Sequence, residues 1–381
     1  MFTHFSHSSQ FHRILLVQLG TVRDIVRTLP IIHILRLRYP HAKITWLSSP
    51  EMIDFLNNYN IADRIIVAKP GWYKKLHAIK TLRKKLQSFT PDLCIDLQDD
   101  RTSGLAARLS GCGKRISICE KKNRFFGKPI KSEQSKHQLE KRLRLLETLG
   151  IASASIDYDL PEIPLERRES GWVFRNLGLE STPFAMLGIG VQSNSTMWEI
   201  DRYVQVAEHL WFTHHLPTVV TWQNAREKWI AEKIVAESGG IVALAPAGAT
   251  SATTLSAIQF AALVRRSSVY VGGDNDFLHI AAAVGTPCIG VFCDESSQYD
   301  APLCNNFQFV QAQTGGKRRH WRGVHAGNAL IHIDNYTYDV IQVCNACDDI
   351  LRPEQVSEEE HHDVQPRATQ RADSGKIVEI R

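Results

Sequence analysis

The chain has 381 residues, of which 43% are hydrophobic and 22% charged. That is enough to bury the cores of two domains, and unlike a disordered or disulfide-stapled chain. Lys and Arg number 45 against 40 Asp and Glu, and a net charge of +5 is too mild to argue for a nucleic-acid partner. No apolar window approaches the roughly 18 residues that a membrane-spanning helix needs. The first apolar run, ILLV, is too short for a secretory signal, so a cytoplasmic protein is expected.

Residues 1–12 read as a polar N-terminal extension. Residues 13–19 (RILLVQL) read as a strand buried on both faces, because the apolar run is continuous rather than alternating. The loop of residues 20–23 leads to Asp24 and a helix, which Pro30 bends or restarts and which ends before Pro40. Further strands are expected at 43–47, 64–68, 92–97 and 115–118, and helices near 52–59, 73–87, 102–109 and 134–149. Gly150 stops the last helix.

Pro161, Pro164 and Pro183 surround a short helical patch, which marks residues 151–182 as a linker. The alternation then restarts. Strands are expected at 184–190, 217–222, 268–272 and 287–292, with a short one after Gly239 and Gly240. Helices are expected at 199–212, 225–237, 253–263 and 277–284. Two successive βα runs predict two doubly wound, Rossmann-like domains, 13–150 and 183–350, facing across a cleft. Ligands in such sheets bind at the carboxyl ends of the strands. From Arg352 the chain is polar and aperiodic, so residues 351–381 are expected to be a disordered tail.

Basic residues concentrate in the first half. The stretch from Lys69 through Lys74 and Lys75 to Lys85 holds no acid, and residues 113–131 (GKRISICEKKNRFFGKPIK) add a second cluster. That half is expected to face an anionic partner, although such residues also make ordinary solvated helix faces. Of the eight cysteines only Cys344 and Cys347 have metal or redox spacing. No second pair completes a zinc set, and they sit in a helical pattern, so a structural role is expected.

Two strand–turn–helix segments carry candidate chemistry. In the first, Asp24 stands where a helix begins beyond a strand, and there a carboxylate can cap the helix or accept a proton from a bound hydroxyl. The loop has neither a dinucleotide fingerprint nor a Walker pattern. In the second, residues 270–279 (YVGGDNDFLH) end a strand on two glycines and open a helix, whose free N–H groups suit an anion. Asp274, Asn275, Asp276 and His279 lie on that turn. Asp274-Asn275-Asp276 also spells an Asp-x-Asp metal motif, but that motif belongs to a different fold, and coincidence is the better reading.

These residues resemble a known family. ILLVQLGTVRDIVRTLPII is similar to the opening of the ADP-heptose:lipopolysaccharide heptosyltransferases, glycosyltransferase family 9. VGGDNDFLHIAAAVGTPCIGVF resembles that family's Asp-Thr-Gly-x-x-His-x-Ala-Ala-Ala-x-Gly-x-Pro segment. PDLCIDLQDDRTSGLAARLSG resembles its Asp-Leu-Gln-Gly segment, and HQLEKRLRLLETLGI its pre-linker helix; the match runs over about residues 13–312. The resemblance implies a GT-B fold. It also implies an inverting, metal-independent transfer of a heptose-like sugar from a nucleotide-diphosphate donor, an ADP-sugar first, to an envelope glycolipid or glycan. No cofactor is implied, and the acceptor allows a peripheral contact with the inner membrane. Asp24 falls on the catalytic base. Gly190, Thr196, Trp222, Glu227, Gly273, Asp274, Asn275, Asp276 and His279 fall on the donor side. Lys69, Lys74, Lys75 and Arg124 fall on the acceptor side.

The chain also departs from the pattern. Aligned on Trp198, the Lys of the family's Ser-Lys-Arg-Trp segment is Thr196 here. The family's Thr-Gly is Asn275-Asp276, and the Gly of Asp-Leu-Gln-Gly is Asp99. A carboxylate near a diphosphate is repulsive unless a cation intervenes or the side chain turns away. The alternative reading is a catalytically degenerate nucleotide- or glycan-binding scaffold of the same fold.

Overall fold

The computed structural model describes residues 11–98, 100–118, 137–151, 164–179, 182–190, 198–247, 255–292, 301–302, 306–311, 330–332 and 338–352. Five strands form the first sheet: β1 (Arg13–Val17), β2 (Lys43–Ser48), β3 (Arg64–Val67), β4 (Leu93–Asp96) and β5 (Lys114–Ser117). All pairs are parallel, in the order β3-β2-β1-β4-β5. The connecting helices are α1 (Val22–Val26), α2 (Leu29–Arg38), α3 (Ile53–Asn58), α4 (Leu76–Phe89) and α5 (Arg101–Leu109). Helices α6 (Gln138–Glu147) and α7 (Pro164–Leu177) lead to the second sheet.

That sheet contains β6 (Ala185–Gly188), β7 (Thr218–Thr221), β8 (Val242–Leu244), β9 (Val269–Gly273), β10 (Cys288–Phe292), β11 (Phe307–Gln311) and β12 (Leu330–His332). It too is parallel, in the order β12-β11-β10-β9-β6-β7-β8. Its helices are α8 (Ile200–His214), α9 (Ala225–Glu237), α10 (Ala257–Val264), α11 (Asp276–Ala283) and α12 (Tyr338–Leu351). Strand order reverses between β1 and β4 in the first sheet and between β6 and β9 in the second. Such reversals open crevices at the carboxyl edge. Asp24 follows β1, Gly190 follows β6 and residues 274–279 follow β9, so the candidate residues stand at these crevices.

The central strands form because their side chains are apolar on both faces. Ile14–Val17 and all of β9 are buried. One apolar cluster runs from Ile14 and Leu16 of β1 to Met186, Phe260 and Tyr270 of the second half. The two sheets belong to one compact unit ending at Leu351.

Several helix starts differ from expectation. The basic helix is broken: a 3-10 turn at Trp72–Lys74 follows Gly71, whose φ of 72° is left-handed, and α4 begins only after an extended Lys75. The described part of the helix expected at 134–149 starts at Gln138, where the His137 ring accepts from the Leu139 N–H at 3.2 Å. The helix expected from 253 starts after Ser256, which forms a capping box with Gln259. Residues 134–136 and 253–254 lie outside the described residues. So do most of the N-terminal extension and residues 353–381, expected to be the tail.

The stretch read as a linker holds a fourteen-residue helix, α7, with Val173 and Phe174 in the core. Its buried Glu166 accepts from the Tyr59 hydroxyl and from Arg265 Nε, the latter at 2.9 Å. Strands β11 and β12 extend the second sheet beyond the last strand that was expected. On α12, Cys347 is wholly buried and Cys344 half-buried. Burial, with the Asp348 carboxylate adding to it, pushes the Cys344 thiol up to about 12. Both therefore stay protonated, as a structural role requires.

Candidate active site

The loop after β1 is fixed by amide side chains. Gln18 Nε2 donates to the Leu97 carbonyl at 3.2 Å, and its Oε1 accepts from Gly20 N–H at 3.1 Å. Gln98 Oε1 accepts from Leu19 N–H at 2.6 Å. Asp24 is not the N-cap of α1. Thr21 is, and Asp24 sits at the third helical position, where its Oδ2 accepts from Thr21 N–H at 3.1 Å. This folds the carboxylate over Gly20, where a Cβ would lie 2.1 Å from Oδ2. Arg142 of α6 reaches Asp24 Oδ1 at 3.2 Å. Arg142 is buried, whereas the Asp24 side chain keeps 29% of its surface exposed.

Helix α11 opens with Asn275 as its cap. The Asn275 amide oxygen accepts from Leu278 N–H at 3.0 Å, and its Nδ2 donates to the Gly190 carbonyl at 2.8 Å. Helix α1 packs against α11, which joins the two segments in one site. Arg23 Nη1 lies 2.8 Å from Asp274 Oδ1, and its Nε lies 3.8 Å from Asp276 Oδ1. Thr21 Oγ1 donates to Asp276 Oδ1 at 3.0 Å. Arg27 Nη2 lies 3.5 Å from His279 Nε2.

Burial first, and neighbouring charge second, sets how these groups ionise. Burial pushes the Asp276 carboxyl up, Asp24 adds to this, and Arg23 and Thr21 oppose it. His279 is wholly buried, and burial holds its pKa well below the ordinary imidazole value, with Arg27, Arg23, His137 and Arg142 acting in the same direction. The ring is therefore neutral at pH 7. Both carboxylates of the Asp-x-Asp sequence turn toward one guanidinium, and the side chain between them is committed to capping.

The remaining donor-side residues divide. Gly190, Glu227 and Asn275 come together: a Cβ on Gly190 would lie 3.0 Å from both Glu227 carboxylate oxygens. Glu227 Oε2 accepts from Gln223 N–H at 2.7 Å, and burial pushes its carboxyl up. Gly273 is buried at the end of β9. Trp222 lies in the core, donating to the Ala245 carbonyl at 3.2 Å, with Lys228 over its ring. Thr196, Asp99 and Arg124 lie outside the described residues.

On the acceptor side, a cavity of about 450 Å³ opens at the carboxyl ends of β1 to β4, beside Gly20 and Thr21. Lys69 lines it, as do Glu51 and Tyr73. Lys74 and Lys75 are exposed on the adjoining turn and do not line it. Arg23, Arg27 and Arg142 were not among the residues singled out from the sequence. The 23/27 pair has the four-residue spacing of one helix face, a signal that was there to be used. Arg142 lay within an ordinary amphipathic pattern.

A sequence profile described as glycosyltransferase family 9 (heptosyltransferase) matches residues 79–323. The chain belongs to this family. It is a glycosyltransferase by that membership, and its two parallel sheets form the GT-B fold. It is 23% identical over 298 residues to the lipopolysaccharide core heptosyltransferase OpsX of Haemophilus influenzae, covering 76% of this chain and 81% of that protein. It is 25% identical over 290 residues to lipopolysaccharide heptosyltransferase 3 of Escherichia coli K12, covering 71% and 79%. Among solved structures, a family 9 glycosyltransferase from Veillonella parvula superposes with a TM-score of 0.70 at 17% identity, covering 90% and 98%. The E. coli heptosyltransferase WaaC with ADP-2-deoxy-2-fluoro heptose gives 0.60 at 18% identity, covering 78% and 92%. Among the described residues no helix of this family 9 member is long and apolar enough to cross a membrane.

Proposed function

We propose that this chain transfers a heptose-like sugar from an ADP-sugar to an envelope glycolipid or glycan, with inversion and without a metal ion. The observation that carries the reading is the packing of α1 on α11. It puts a part-exposed carboxylate, Asp24, beside the turn that opens α11. The names of the curated relatives support a lipopolysaccharide acceptor, and the ADP-fluoroheptose held by WaaC supports the donor class.

In this reading Asp24 takes the proton of the acceptor hydroxyl as that oxygen attacks the anomeric carbon from the face opposite the leaving group. The nucleoside diphosphate departs toward the start of α11, whose dipole favours negative charge. Arg23 and Arg27 supply positive charge there, in the place of the Lys that aligns with Thr196. Arg23 also answers Asp276, the carboxylate that would otherwise repel the diphosphate. Glu227 and Gly190 lie on the donor side of α11. The cavity lined by Lys69 takes the acceptor, with Lys74 and Lys75 on the adjoining turn. Exposed Leu76 and Tyr73 beside these lysines suit a peripheral contact with an anionic membrane surface.

The test is Asp24→Asn. Asn can still accept the Thr21 N–H, so the fold should hold while turnover falls about 100-fold or more and ADP binding by calorimetry stays within twofold. Near-normal turnover would remove Asp24 from the base role. The Asp276 carboxylate at the phosphate-facing turn favours one second reading, a scaffold that binds without catalysis. It predicts saturable ADP-sugar binding with no transfer from any donor in a nucleotide-sugar panel.

A further inference from the structure

Helices α8 and α12 meet on the outside of the second sheet. His209 lies near the end of α8, His214 is its last residue, and Asp348 lies one turn from the end of α12. Asp348 Oδ1 is 2.7 Å from Nε2 of both imidazoles. The three donor atoms lie within 4.8 Å of one another. The side chains are 23%, 17% and 36% exposed, so the cluster is partly shielded yet open to solvent on one side. We propose that His209, His214 and Asp348 bind a zinc ion that fastens α12 to α8.

The chemistry of the set points to this ion. Two imidazole nitrogens and one carboxylate oxygen are borderline-to-hard donors, and three protein ligands with one open position are a common zinc arrangement. Zinc–ligand distances of ~2.0–2.1 Å place tetrahedral donors roughly 3.3 Å apart, so the observed 2.7 Å contacts need to open by only about half an ångström. Binding through Nε2 requires the proton on Nδ1. For His209 the Thr213 hydroxyl lies 3.4 Å from Nδ1 and can accept it, which orients the ring. The Cys344/Cys347 pair is not the ligand set, since Cys347 is in the core; the aspartate that follows it is.

The position gives the ion a structural task. His214 ends the helix that leads into the amino end of β7, whereas Asp24 and the α11 turn lie at the carboxyl edges of the strands. The ion is therefore remote from sugar transfer, and its effect falls on the docking of α12.

The test uses the full chain after chelation, titrated with zinc sulfate. His4, His7, His12, His361 and His362 offer competing imidazoles, so the comparison is with Asp348→Asn and His214→Gln. Zinc at 100 times its dissociation constant should raise the native Tm by about 3 °C. The rise should be lost, and affinity should fall 10-fold or more, in both variants. An equal rise in native chain and variants, or none in the native chain, overturns the proposal. Cobalt substitution decides independently of how the variants fold: the native chain must acquire the intense visible bands of a tetrahedral site, and their absence also overturns it.

Discussion

The turn from β1 into α1 and the turn from β9 into α11 are built on one plan and differ in what they leave available. Each joins the end of a central strand to a helix and carries an aspartate in the first turn. At α11 the frame is closed: Asn275 caps the helix, and Phe277, Leu278 and His279 are all buried. At α1 the Asp24 carboxylate accepts from the N–H of the cap residue Thr21 and stays part-exposed. Their charges are complementary, arginines on α1 against carboxylates at α11. A closed turn suits a site that must hold charge in place. An open one suits a group that must meet a mobile hydroxyl.

Removing the charge complement should have the largest effect. Arg23→Met leaves Asp274 and Asp276 facing each other without their guanidinium, and should cost about 3 kcal/mol in urea unfolding. Adding Asp276→Asn should restore more than half of that. A neutral Arg23→Met would mean that the two turns are neighbours and not partners.

Next in size is the pair Gly20→Ala and Gly190→Ala, which separates the roles of the turns. The first puts a Cβ where Asp24 Oδ2 lies and should lower turnover about 10-fold, roughly 1.4 kcal/mol of barrier, with ADP affinity unchanged. The second presses on Glu227 and should weaken ADP binding several-fold with little change in saturated turnover. Steady-state kinetics and calorimetry on the two variants would expose any exchange of roles.

The smallest effect is the pH response of His279. The folded ring stays neutral, while the unfolded imidazole gains a proton near pH ~6.5. Below that pH the unfolded chain binds the extra proton, so this contribution is complete above ~6.5 and is lost as pH falls toward the lowered folded value. The stability difference between the native chain and His279→Gln should narrow from pH 7.5 to 5.5, with a slope no steeper than about 1.4 kcal/mol per pH unit. A difference that does not change with pH would mean that the folded ring takes up its proton as readily as the unfolded one, and a difference that widens as pH falls would place a charged ring in the fold.

The central strands were legible because a parallel strand buried on both faces reads as an unbroken apolar run, as in ILLV and VYVGG. Helix starts were less so. Thr21, His137 and Ser256 act as caps through local bonds that compete with many similar Ser, Thr and His residues. Asp24 was legible as a site residue, but its place at the third helical position was not. The Thr21 hydroxyl that would have bonded down the helix instead crosses to Asp276, 255 residues away. Arg23, Arg27 and Arg142 were passed over because arginine defaults to the surface; opposing carboxylates accompany the burial of Arg23 and Arg142, and Arg27 meets the His279 ring. The histidine–aspartate cluster escaped because Asp348 lies 139 and 134 residues from His209 and His214, on a second helix that only the fold brings to them.

Glu166 has a consequence for inheritance. It takes Tyr59 from the first sheet's side and Arg265 from the second, so one buried acid answers to both halves of the chain at once. A chimera that joined the first half to a relative's second half would strand this carboxylate or one of its donors. The halves can therefore be exchanged between relatives only if Tyr59, α7 and Arg265 travel as one unit, a constraint on recombination that sequence identity along either half alone does not reveal.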